Sequence, residues 1–372
     1  MRWRHRVIPR WSAGVVGAKQ ERRGVWLVAV AVALVACAAP AATPPPAAAP
    51  APQLQGAPGQ AAPAEPAAPQ PPLRPLRVAY TALVSAQAPL WIALETGLFR
   101  EQGLDVEATL ISGSDKAIAA LLTGETPITM LASGAMVSAV SKGADLVYLA
   151  STSSKLTFQL ITQPQITSVE QLRGQPVGAT GRGSQSDFAL RYALRRLGLD
   201  PEQDIVFRAM AGGEPQMVAA LESGAIAAAA LNPPNDLVAE QAGLRSLARM
   251  SDWNVPSLGV GVAVRRGYLA EQRDTARRFV RAFALGAERM KADPALAQAV
   301  IRQYLQSDDG PAIEWGYRVA VESMPAVPYP TEAGLQSVID ALAEVDPDVA
   351  TVQPSAIVDR SILDEIVAAG TR

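Results

Sequence analysis

Beyond residue 75 the apolar positions follow two rhythms. Leu76–Leu83 (LRVAYTAL), Leu104–Ile111 (LDVEATLI) and Ile128–Leu131 read as short strands. Between them PLWIALETG opens with Pro89 in the tolerated first turn and stops at Gly97, and Asp115–Thr123 is a helix stopped by Gly124. Val177–Thr180 is a further strand, followed by a loop over 181–186 and the helix DFALRYALRRLG closed by Gly198. The strand LGVGVAV and a helix over Asp274–Met290 continue the pattern. Strands alternating with helices of about ten residues predict α/β units on a mainly parallel sheet. Ligands of such sheets lie beyond the carboxyl ends of the strands. Three small, hydroxyl-rich loops stand there, at 84–88, 112–114 and 132–135.

An internal echo divides the pattern. Ala119-Ala120-Leu121-Leu122-Thr123-Gly124 matches Ala219-Ala220-Leu221-Glu222-Ser223-Gly224, displaced by 100 residues. Each copy leads into a strand and a loop, Ala132-Ser133-Gly134 in one and Asn232-Pro233-Pro234 in the other. Two similarly built lobes with a cleft between them are the expected result.

The amino end follows another logic. Val25–Ala36 (VWLVAVAVALVA) is uncharged, follows a basic segment and runs into Cys37. Twelve residues make about 18 Å of helix, too short for a bilayer core of about 30 Å and the size of an export-signal core. Leu34-Val35-Ala36-Cys37 resembles a bacterial lipobox, which implies cleavage before Cys37 and lipid on its sulfur; a plain secretory signal with an incidental cysteine is the other reading. Between Ala38 and Pro75, 13 of 38 residues are proline and 14 alanine, a composition that builds extended spacer rather than core. Residues 1–36 are thus read as signal and 37–75 as tether.

Charge and composition narrow the function. The formal net charge is −2, but seven basic residues and one acid lie in the first 36 positions, leaving 26 basic against 34 acidic beyond them. That balance argues against nucleic acid as a partner. The single histidine is His5 and the single cysteine Cys37. With 1–36 removed and Cys37 lipidated, neither imidazole nor free thiol remains, and hydrolytic triads, zinc and haem sites lose their usual residues. No metal, no cofactor and no catalytic residue is expected.

The run PLWIALETGLFREQGLDVEATLISGSDKAIAALLTGETPITMLASGA, followed by ITSVEQLRGQPVGATGRGSQSD and ALRRLGLDPEQDIVF, resembles the solute-binding proteins of ABC importers in the aliphatic sulfonate, taurine and thiamine-precursor group. The resemblance covers roughly 76–300. It implies a type II periplasmic-binding-protein fold: two α/β lobes with mixed, mainly parallel sheets, two crossover segments and a ligand cleft closed by hinge motion. The crossovers are expected near Ser151–Gln159 and Asn254–Val262. Lobe 1 is then 76–158 plus 255–372, and lobe 2 is 159–254. Where the family usually carries an aspartate after each helix-ending glycine, this chain has Pro127 and Ala227, so contacts made through those aspartates do not carry over.

Candidate solute contacts are the loop residues Ser85, Ala86, Ser112, Gly113, Ser133, Gly134, Ala135, Thr152 and Ser153 in the first lobe, and Arg182, Gly183, Ser184, Gln185, Ser186, Asn232 and Trp253 in the second. Ser184 and Ser133 stand where hydroxyls either cap a helix or bind an anionic group, using the same donors. Arg182 offers a cation for a sulfonate or carboxylate, or is simply solvated. Trp253 covers a ligand face or packs at the hinge. The expected protein is a monomeric, membrane-anchored extracytoplasmic receptor that captures a small solute for a permease and its cytoplasmic ATPase. Two alternatives are a ligand-sensing lipoprotein acting on a signalling partner and, by fold resemblance, a thiamine-pyrimidine-synthase-like enzyme.

Overall fold

The computed structural model describes residues 72–370, with 345 excepted. The expected signal 1–36, Cys37 and nearly all of the tether lie outside the described residues. The first elements are β1 (Arg74–Tyr80), α1 (Ala88–Glu95), α2 (Leu98–Glu101), β2 (Leu104–Leu110), α3 (Ser114–Thr123), β3 (Ile128–Ala132), α4 (Ser133–Ser141) and β4 (Leu146–Ser151). A second set follows: β5 (Gln159–Thr162), β6 (Pro176–Ala179), α5 (Gln185–Arg196), β7 (Val206–Ala209), α6 (Glu214–Glu222), β8 (Ala228–Leu231), α7 (Asn235–Gln241) and β9 (Arg245–Arg249). The chain then returns through β10 (Val260–Arg265) to α8 (Arg266–Glu271), α9 (Arg273–Ala292), α10 (Pro294–Leu305), α11 (Gly310–Ser323), α12 (Glu332–Ala343) and α13 (Ser361–Ala368).

The two sheets share one plan. Their strand orders are β2-β1-β3-β10-β4 and β7-β6-β8-β5-β9. In each, four strands run one way and one runs against them: β10 is antiparallel to β3 and β4, and β5 to β8 and β9. The echo in the sequence falls on equivalent pieces, α3 leading to β3 and α6 to β8. β1 begins earlier than its hydrophobic pattern predicts, since Arg74 and Pro75 pair with Leu104 and Asp105 of β2. Proline is tolerated there because β3 joins β1 only at Val78–Tyr80, so no second neighbour asks for the missing N–H.

Apolar packing explains why the helices lie where they do. α9 buries Phe279, Val280, Phe283, Ala287 and Met290, one helical stripe, mainly against α1 and α2 of the first lobe. Phe279 stacks on Phe99 at 4.9 Å, and Trp91, Phe279 and Phe283 are fully buried. Each such side chain contributes about 1.5–3 kcal/mol through burial. Another core reaches across both lobes: Leu131 and Met136 of lobe 1, Leu335, Val338 and Ile339 of α12, and Phe188 and Leu190 of α5 belong to one cluster. One side of the seam between the lobes is therefore apolar, with α12 wedged against α4 and α5.

Candidate functional site

The loops that end the parallel strands meet at this seam. Ser133, the first residue of α4, donates its Oγ proton to Gln185 Oε1 at the start of α5, 3.0 Å away. Gln185 Nε2 in turn donates to Ser257 Oγ on the returning crossover at 3.1 Å. Next to this line the backbones nearly touch: a Cβ on Gly134 would sit 2.4 Å from the Gly183 carbonyl oxygen, a separation only glycine permits. Ser133-Gly134-Ala135, expected as a loop, is already the first turn of α4.

On the neighbouring side, α11 reaches across to lobe 2. Trp315 Nε1 donates to both carboxylate oxygens of Asp236 at 3.1 Å, and Gln159 Nε2 donates to Asp236 Oδ2 at 2.7 Å. Burial pushes the Asp236 carboxyl up to about 6 even though those donors and the Leu237 amide favour its charged form. Glu214 lies nearby, accepting from the Asn232 backbone amide at 2.8 Å and from Asn235 Nδ2 at 3.1 Å. Burial above all raises it to about 8, the charge on Asp236 adding to the rise. Outside Trp315 a groove of about 370 Å³ is lined by Leu237, Glu240, Arg249, Pro311, Glu314 and Arg318.

Several predicted residues have structural partners. Ser184 Oγ accepts from the Asp187 amide and is the N-cap of α5. Ser186 Oγ accepts from the Thr180 amide at 2.9 Å and lies 3.1 Å from Ser184 Oγ. Thr152 and Ser153 donate to the carbonyls of Val260 and Leu258, tying the two crossovers together. Arg182 departs from the anion-binding expectation: it pairs with Glu202 at 3.0 Å and lies over the Phe207 ring at 4.2 Å. Trp253 packs against Tyr192 with Arg196 over its ring, which favours the hinge-packing reading. Asn232 accepts from Thr157 Oγ1 at 3.0 Å. Ser112 and Gly113 are exposed before α3, Ala86 is half-buried and Ala135 buried.

Sequence reasoning missed Gln87, Glu214, Asp236, Ser257 and Trp315. A trace of Glu214 was present in Gly212-Gly213-Glu214-Pro215, a glycine pair followed by an acid and a proline, which marks a helix start. Trp315 carries no local cue.

The NMT1/THI5-like family model matches residues 85–297. The chain belongs to that family. Among curated relatives, a protein of Brachyspira hyodysenteriae named as an ABC transporter periplasmic binding protein is 28% identical over 145 residues, 38% of this chain and 40% of that one. The curated relatives are matched over no more than 40% of their own length. Among solved structures, the periplasmic aliphatic sulphonate binding protein SsuA of Escherichia coli aligns with a TM-score of 0.61 at 18% identity, covering 77% of this chain and 92% of that one. The periplasmic nitrate-binding protein NrtA of Synechocystis PCC 6803 aligns with a TM-score of 0.65 at 14% identity, covering 80% and 89%. This NMT1/THI5-like chain thus has the two-lobed periplasmic-binding-protein fold.

Proposed function

We propose that the protein is the extracytoplasmic solute-binding component of an ABC importer. It is held to a membrane through lipidated Cys37 and the 37–75 tether, acts as a monomer, and catalyses no reaction. It captures a small polar solute between its lobes and delivers it to a permease coupled to a cytoplasmic ATPase. The observation that carries this reading is the line from Ser133 through Gln185 to Ser257, which joins lobe 1, lobe 2 and a crossover by exchangeable side-chain bonds. A solute in the seam can replace such bonds, so binding and closure are coupled. The relatives named for ABC transport, sulphonate and nitrate support the class of function. Among the described residues no helix is long and apolar enough to cross a membrane.

The test is thermal shift of the purified protein against sulfonates, taurine, nitrate, pyrimidines, carboxylates and amino acids. A ligand at 100-fold above its dissociation constant adds about 2.7 kcal/mol of stability. A shift confined to one chemical class is the expected result. Protein free of carried small molecules that responds to none of them contradicts solute capture within these classes.

A further inference from the structure

Unsatisfied buried polar groups concentrate at the start of α1. Ser85 Oγ, Gln87 Nε2 and Oε1, and Trp91 Nε1 are all buried and have no hydrogen-bond partner among the described residues. Ser85 is 1% exposed and Gln87 0%. Buried polar atoms without partners are rare and costly, and a carboxamide left bare at both ends is doubly so.

The turn that carries them lies at the seam. A Cβ on Gly316 of α11 would sit 2.3 Å from Ser85 Oγ and 3.4 Å from Pro234 Cβ of lobe 2, so this turn, α11 and the lobe 2 loop converge. The neighbourhood is aromatic: Trp91 stacks on Tyr304 at 4.7 Å and meets Tyr80 edge-on at 5.9 Å. The carboxyl that α7 brings against α11 is Asp236, Glu214 of α6 lies behind it on the Asn232 amide with its proton held by burial, and Arg182 is committed to Glu202. Lys155, half-buried, belongs to the first crossover.

We infer that Ser85 and Gln87 form the solute-recognising edge of the cleft, and that the solute is a neutral molecule presenting an N–H donor beside a nitrogen or oxygen acceptor, as a carboxamide or an amino-heterocycle does. This rests on the solute-binding function proposed above. Gln87 Nε2 donates and Oε1 accepts, so a partner must do both. A sulfonate, nitrate or carboxylate only accepts, and would leave Oε1 unpaired. A site built to hydrogen-bond one edge rejects molecules lacking it. The small hydroxyl-rich loops, which in the sequence favour an anionic group, thus serve a different chemistry.

The experiment has two arms on the extensively dialysed full chain. In the first, nicotinamide and cytosine are titrated against nicotinate and ethanesulfonate by calorimetry, with Lys155→Gln as a parallel sample. The neutral probes are expected to bind at least about tenfold more tightly than the anions, and Lys155→Gln to leave that order unchanged. In the second, Gln87→Met, close to glutamine in volume, is expected to weaken the neutral probes at least about tenfold while the ligand-free melting temperature stays level or rises. Preference for the anions overturns the solute class and leaves solute capture standing. A ligand-free melting temperature that falls by several degrees in Gln87→Met overturns the recognition role and makes the residue structural. Failure of all four probes overturns the neutral class; mass spectrometry of the protein as purified then judges solute capture separately, by whether it carries a small molecule.

Discussion

The starts of α1 and α5 occupy equivalent places in the two lobes and look alike in sequence, yet they differ in what their polar atoms have left to offer. At α5 nearly every group is engaged: Ser184 caps the helix, Ser186 binds Thr180, Asp187 accepts from the Gly183 amide and from Arg191, and Arg191 also pairs with Glu202. At α1 the side chains of Ser85 and Gln87 are as deeply buried, and their polar atoms have no hydrogen-bond partner among the described residues. A hydroxyl-rich loop before a helix therefore identifies a place for polar chemistry. Whether that chemistry is internal or awaits a ligand depends on which neighbours supply partners, and α5 has a complete set.

The comparison breaks most visibly at Arg191. Arg191→Ala strands the Asp187 carboxylate, 1% exposed, and is expected to cost about 3–5 kcal/mol in urea unfolding. Gly134→Ala attacks the point where the lobes touch: its Cβ would clash with the Gly183 carbonyl. Overpacking of about 1–3 kcal/mol is relieved by parting the lobes, seen as a larger radius of gyration in X-ray scattering with the melting temperature nearly kept.

Glu214 extends the comparison to pH. Its folded carboxyl sits at about 8 against an ordinary value of 4.5, so between those pH values the folded protein holds a proton that the unfolded chain has released. Stability from this group is present below pH 4.5 and is lost as pH rises towards 8. Glu214→Gln is expected to flatten the fall in melting temperature between pH 5 and 8, and an unchanged slope would refute the assignment. Ser184→Ala removes one cap and is expected to cost about 1 kcal/mol. Ser85→Ala, which deletes an oxygen with no partner, is expected to change ligand-free stability by less than about 0.5 kcal/mol. Equal losses at Ser184 and Ser85 would erase the distinction between the two helix starts.

Much of the fold was legible because its cues are local. Gly97 and Gly124 stop helices, Pro89 opens one, and the 100-residue echo marks equivalent helices leading to β3 and β8. The site was legible only as a set of loops. Arg182 meets Glu202 from 20 residues away, Ser133 meets Gln185 from 52, and Thr152 meets Val260 from 108; such partners are set by how the sheets pack and leave no mark beside the residue itself. For the same reason the sequence points to Ser85 and Ala86 in that loop and passes over Gln87, which only its surroundings bring out.

The place of β10 also sets an order of assembly. Because it lies between β3 and β4, lobe 1 cannot close its sheet until residue 265 has left the ribosome, after all of lobe 2. Until then β4 waits with both edges open, and such long-range closures are slow. Lobe 2, by contrast, draws its five strands from one unbroken stretch, Gln159 to Arg249. The nascent chain thus carries a half that is ready to fold beside a half whose last strand must wait for the chain to come back.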